Sequence, residues 1–145
     1  MKIKYDIQEK YDEVEIHLCG REKTAELLEM RGLLENLLET KIKVHRNQEY
    51  KTVAPAEIIR IYSLNKRVYV RTCDECYEVN DRIYMLEELL QDRGFVRISN
   101  SELVNARQIE KMDMSYAGTL KMYLKNGDET YVSRRYMKRI KEVLF

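Results

Sequence analysis

In Val132-Ser133-Arg134-Arg135-Tyr136-Met137-Lys138-Arg139-Ile140-Lys141 a strand end runs into a basic helix, with two arginines at the junction. If Ser133 is the N-cap, Arg134 and Arg135 fall in the first helical turn. There an exposed cation opposes the macrodipole at a cost of about 0.3–1 kcal/mol. The placement suits anion binding, because open N–H groups at a helix start face an anion. Arginine also forks onto phosphate, or onto O6 and N7 of guanine. The alternative is ion pairing with Asp128 or Glu129.

A second phrase, Arg93-Gly94-Phe95-Val96-Arg97-Ile98-Ser99-Asn100-Ser101-Glu102-Leu103-Val104-Asn105, reads as a short strand entering a polar turn with Asn100 at its tip. Ser99-Asn100-Ser101-Glu102 fits the S-x-x-E capping box, which would make Asn100 a first-turn residue of a helix. An exposed asparagine also matches the adenine edge with one donor and one acceptor, and Arg97 is close enough in sequence to hold a phosphate beside it. Lys66 and Arg67, between two strands, form a third basic projection.

Cys73-Asp74-Glu75-Cys76 is a C-x-x-C across a turn. A structural zinc would need two more ligands, and His17, Cys19 and His45 make no second knuckle. The pair reads as turn-flanking thiols, with redox sensing by Cys73 and Cys76 as the other reading. No nucleophile elbow, Walker loop or Rossmann glycine pattern is present, and the carboxylates are scattered. Neither catalysis nor a cofactor or small-molecule substrate is expected.

The elements that must position these groups follow from periodicity. Apolar and charged residues alternate over 2–7 and 13–18, which predicts two strands. Helical spacing follows, with Leu27, Met30, Leu34, Leu37 and Leu38 in one stripe and Glu26, Glu29, Arg31, Glu35 and Glu39 largely away from it. This helix, over 22–40, either packs on its own strands or serves dimerisation or a partner. Short strands then follow at 43–44 and 50–53, and an apolar one at 57–62. Strands at 68–72 and 76–79 pair across a turn at Asp74-Glu75. A helix over 84–90 ends before Gly94, a left-handed stop. After a strand at 95–98, residues 105–112 carry the chain across to a hairpin of 118–124 and 130–133, turning at Asn126-Gly127. A final helix covers 135–144. The fold class is α+β, mainly β with short helices, behind a small β-β-α N-terminal segment.

The chain of 145 residues carries 44% hydrophobic and 35% charged residues with 5 Gly and 1 Pro, which describes an ordered globular protein. No apolar run reaches the length of a membrane span and the N-terminus lacks the apolar stretch of a signal peptide, so a cytoplasmic location is expected. Net charge is only +1, yet residues 93–145 hold 11 basic and 6 acidic side chains against 15 and 19 in residues 1–92. A basic rear half fits a module that meets an anion with one face.

The phrase from Phe95 to Asn105 reads F-x-R-x-x-x-S-x-x-V-N. With Glu57-Ile58-Ile59-Arg60-Ile61 before it, and Asn126-Gly127 and Val132-Ser133-Arg134-Arg135 after it, it resembles the LytTR family of bacterial DNA-binding domains over residues 46–145. The resemblance implies a β fold whose loops enter successive major grooves and bend the duplex. Asn100 and Arg135 would contact bases, as would Lys66 or Arg67. Arg97, Arg134, Lys138 and Arg139 would contact phosphates. It also implies a transcription regulator acting as a homodimer or as paired monomers on promoter repeats of double-stranded DNA. Residues 1–45 are too few for a receiver domain. Control by a membrane-embedded partner, or autoregulation, is therefore expected in place of phosphorylation. The rival reading is a protein–protein module acting through the 22–40 helix, with incidental DNA affinity.

Overall fold

The computed structural model describes residues 2–38, 40–114 and 118–145, except for the side chains of Asn36 and Leu37. Glu39 and the Leu37 side chain, both assigned to the helical pattern, thus lie outside the described residues. The chain divides into two units, Met1–Leu38 and Glu39–Phe145.

Helix α1, Ala25–Leu38, is the regular element of the first unit. Thr24 caps it, its Oγ1 accepting from the Leu27 N–H at 3.2 Å. Leu27, Met30 and Leu34 are half-buried, whereas Leu28, Leu33 and Leu38 are exposed. The two strands expected over 2–7 and 13–18 do not form among the described residues. Ile3, Tyr5, Ile7, Val14 and Ile16 stay exposed, so within the first unit the alternation buries neither face. A lone two-stranded ribbon is marginal in water. Local bonds take its place, with Tyr11 Oη donating to Asp6 at 2.9 Å and His17 meeting Glu15 at 2.8 Å.

The second unit holds two antiparallel sheets. Their strands are β1 (Ile42–Arg46), β2 (Glu49–Val53), β3 (Ile58–Leu64), β4 (Arg67–Thr72), β5 (Cys76–Val79), β6 (Phe95–Ser99), β7 (Glu102–Asn105), β8 (Ile109–Asp113), β9 (Leu120–Leu124) and β10 (Glu129–Val132). The larger sheet runs β2-β1-β5-β4-β3-β7-β6 and the smaller β10-β9-β8. Helix α2, Ile83–Leu90, ends through a 3-10 turn at Gly94, whose φ of 81° confirms the left-handed stop. Helix α3, Arg134–Leu144, closes the chain.

Strands β3 and β7 are buried on both faces. Ile58, Ile61 and Leu103 join Leu86 and Leu90 of α2 in one core. Their neighbours Ile59 and Val104 point the other way, into a second core with Leu120, Met122, Leu124, Val132 and Ile140. That is why β7 carries no alternation: all four of its residues are buried. The capping-box helix at Ser99-Asn100-Ser101-Glu102 therefore does not form. Glu102 enters β7, and Asn100 and Ser101 make a tight turn. Strand β8 likewise stands where only a connection was expected.

Two buried polar side chains lock this arrangement. Asn105 donates from Nδ2 to the Ile58 carbonyl at 2.9 Å and accepts from the Arg107 N–H at 3.1 Å. Glu102 accepts from Arg60 Nη1 at 2.9 Å and from the Thr130 hydroxyl at 2.7 Å. Arg60 and Arg71 both lie 3.2 Å from Asp128. A carboxylate this buried is tolerated because its lone pairs are filled.

Candidate nucleic-acid interface

Three loops meet at one end of the second unit. The β3–β4 hairpin turns on Asn65 and Lys66, whose φ values of 51° and 65° make a left-handed two-residue turn without glycine. The Ser63 N–H donates to the Ser101 carbonyl at 2.8 Å, which sets this tip beside the β6–β7 turn. The Ser133 N–H donates to the Ile98 carbonyl at 2.9 Å, which brings the start of α3 to the same turn. The sequence spread Lys66, Asn100 and Arg135 across three segments, and backbone bonds gather them.

Ser133 is the N-cap of α3, as expected, but its hydroxyl makes no capping bond. The Tyr136 N–H turns back onto the Ser133 carbonyl at 2.9 Å, while among the described residues those of Arg134 and Arg135 have no partner, the arrangement that receives an anion. Arg134 and Arg135 are both exposed, and among the described residues their side chains have no partner. The ion pairs that would have explained them are taken elsewhere: Asp128 faces Arg60 and Arg71, and Glu129 holds Lys121 at 2.8 Å. Lys138 is exposed on the same helix, and Arg139 is 66% exposed with Glu87 only at 3.9 Å. The other side of α3 is apolar, with Tyr136, Met137, Ile140 and Leu144 against the second core. The helix thus turns its cations outward.

Lys66 stands exposed at its tip, without a side-chain partner among the described residues, while Arg67, the first residue of β4, lies 3.6 Å from Glu78. Lys66 is therefore the freer of the two.

Arg97 is placed otherwise than expected. Only 11% of its side chain is exposed. Its Nε donates to the Ser99 carbonyl at 2.6 Å, its Nη2 to the Asn100 carbonyl at 2.5 Å, and its Nη1 meets the Glu87 carboxylate. A guanidinium engaged on three acceptors is a staple for the Asn100 turn and is not free for a phosphate. Two residues that sequence reasoning passed over support the same turn. Glu87 of α2 receives Arg97, and the Tyr136 hydroxyl donates to Asn100 Oδ1 at 2.9 Å. The only sequence signal was the placing of Tyr136 directly after Arg135.

The cysteines are free, and Cys73 is exposed. They flank a turn at the end of β4 opposite the three loops. Cys76 Sγ lies 3.5 Å from Tyr62 Oη. Burial first, and then this contact, pushes the Tyr62 hydroxyl up to about 12. Among the described residues no group of three or more His, Cys, Asp or Glu side chains is placed to hold a metal ion, and no helix is long and apolar enough to cross a membrane.

Residues 48–145 match the LytTr DNA-binding domain family. Proteins named as uncharacterized HTH-type transcriptional regulators in Staphylococcus aureus strains NCTC 8325 and COL are each 39% identical over 98 residues. The match takes in 68% of this chain and 66% of each relative, just under two thirds of their length. A solved LytTr DNA-binding domain from Bacillus cereus superposes with a TM-score of 0.69 at 19% identity, covering 73% of this chain and 97% of that one, which shows the shared fold. The fold, and a family match over most of the unit that carries the three loops, agree: the chain belongs to the LytTR family of DNA-binding domains.

Proposed function

We propose that this chain is a sequence-specific transcription regulator that reads double-stranded DNA through its three gathered loops. Asn100 pairs with adenine, Arg135 with guanine, and Lys66, with Arg67 behind it, enters a neighbouring groove. Arg134, Lys138 and Arg139 hold phosphates, while Arg97 holds the Asn100 turn. The observation that carries this reading is the company of Asn100. An exposed carboxamide and an exposed arginine, unpartnered among the described residues, stand at one end of the unit, tied together through Ile98 and Ser133. Loops presented side by side reach successive grooves only if the duplex curves toward them, so bending belongs to the proposal. So does binding as paired copies on repeated half-sites. Affinity comes largely from phosphate contacts and is therefore salt-dependent.

The test is a selection from random-sequence DNA, followed by fluorescence anisotropy on the recovered duplex and a scrambled one across a salt series. Wild type should prefer the recovered duplex, and Asn100→Ala and Arg135→Ala should each lose that preference. Failure to enrich any sequence would leave α1, with Leu28, Leu33 and Leu38 exposed, as a protein-docking helix and the DNA affinity as incidental.

A further inference from the structure

We propose that Tyr136 is a positioning residue for base reading by Asn100, fixing which way its carboxamide faces the groove. The proposal rests on the assignment of Asn100 to adenine made above. The Tyr136 hydroxyl donates to Asn100 Oδ1 at 2.9 Å. Its ring packs against the second core from the apolar side of α3. A phenol anchored by its ring, with two side-chain torsions, delivers its hydroxyl to one place. The backbone of Asn100 is held independently, by Arg97 Nη2 on its carbonyl at 2.5 Å. The residue is thus gripped from β6 at its main chain and from α3 at its side chain.

A carboxamide presents an acceptor from one end and two donors from the other, and a half-turn about its last torsion exchanges them. The tyrosine proton occupies one lone pair of Oδ1. The second lone pair and both Nδ2 hydrogens remain for the groove. Adenine asks for that set, an acceptor for its N6 hydrogen and a donor for N7. Without the hydroxyl, the amide must be ordered at the moment of binding, and that ordering weakens association. Because Tyr136 directly follows Arg135, one turn of α3 carries a base-reading arginine and sets the direction of the base-reading asparagine.

The experiment uses the full chain and the duplex recovered by selection, with 7-deazaadenine placed at each adenine in turn to delete N7. Wild type should lose affinity at one adenine, and Asn100→Ala should be indifferent there. Tyr136→Phe keeps the ring and drops the hydroxyl. It should bind the selected duplex about three- to tenfold more weakly, in proportion to one lost hydrogen bond. Its penalty for 7-deazaadenine should shrink, while its melting temperature, its salt slope and its affinity for scrambled DNA stay at wild-type values. A full 7-deazaadenine penalty in Tyr136→Phe would overturn the proposal and leave the reading of Asn100 standing. A penalty retained in Asn100→Ala would overturn both. One measurement needs no variant: the Tyr136 hydroxyl proton of the free wild-type protein should be protected from exchange and show a proton contact to the Asn100 amide, and free exchange with water would overturn the proposal.

Discussion

The Thr130 hydroxyl donates to Glu102 Oε2 at 2.7 Å, and that bond crosses from the smaller sheet to the larger. The other oxygen of the carboxylate accepts from Arg60 Nη1 at 2.9 Å, so one side chain, 12% exposed, ties β3, β7 and β10 together. Glu102 also stands at the foot of the Asn100 turn. The joint between the sheets and the root of the proposed reading loop are the same residue.

Glu102→Ala should therefore cost stability. It leaves a partly buried Arg60 and the Thr130 hydroxyl short of an acceptor, a loss of about 1–3 kcal/mol. Urea unfolding would show this as a lower midpoint with an unchanged slope. An unmoved midpoint would mean that apolar packing alone joins the sheets.

Asp128 gives the same joint a pH dependence. Burial raises its carboxyl, but the hydrogen bond from Arg71, with Asn126 and Arg60 beside it, outweighs burial and holds it below its ordinary 3.8. A carboxylate lowered by folding contributes stability that is fully present above its unfolded value and is lost as pH falls through the folded one. The wild-type melting temperature should drop as the solution is taken below about pH 4. Asp128→Asn should melt lower at neutral pH and converge on wild type at the acid end. Parallel curves for the two proteins would show that other carboxylates set the acid limb.

How much of this was legible in the sequence depends on whether a feature is local. The start of α3 at Ser133, the left-handed stop at Gly94, the turn between the two cysteines and the hairpin around Gly127, with its φ of 90°, are all written in consecutive residues, and all are present. Strand β7 was illegible because burial on both faces erases the alternation that marks a strand. The Asn65-Lys66 turn hides inside the longer connection that the pattern predicts over 63–67, because a left-handed pair without glycine gives little warning. Alternation misled over residues 2–18, where the pattern exists but no sheet receives it. At the proposed site, residue type and resemblance name Asn100 and Arg135 as candidates. The grip of Arg97 and Tyr136 on Asn100 is tertiary, and no spacing encodes it.

Arg97 yields a prediction that separates a staple from a phosphate contact. Its guanidinium donates to the carbonyls of Ser99 and Asn100 and meets Glu87, so its loss should loosen the turn. Arg97→Ala should weaken the selected duplex far more than a scrambled one, and the slope of log affinity against log salt should stay at the wild-type value. A slope reduced by about 1, with equal loss on both duplexes, would return Arg97 to the phosphate role. Amide hydrogen exchange at Asn100 and Ser101 should quicken in the variant if the staple is correctly placed.

Arg135 and Lys138 lie on the same helix and should fail in opposite ways. Both are exposed, and among the described residues neither side chain has a partner, so removing either leaves the fold intact. Arg135 stands in the first turn, next to the Asn100 loop, and a forked guanine contact is worth about 1–3 kcal/mol of discrimination. Arg135→Ala should lose that amount on the selected duplex and little on a scrambled one. Lys138 stands further along the exposed face, where the proposed reading gives it a phosphate. Lys138→Ala should weaken all duplexes alike and lower the salt slope by about 1. The two substitutions should also be close to additive, because they act on different parts of the duplex and share no partner. A uniform loss from Arg135→Ala would place that arginine on a phosphate and leave Asn100 as the single base reader of the α3 side.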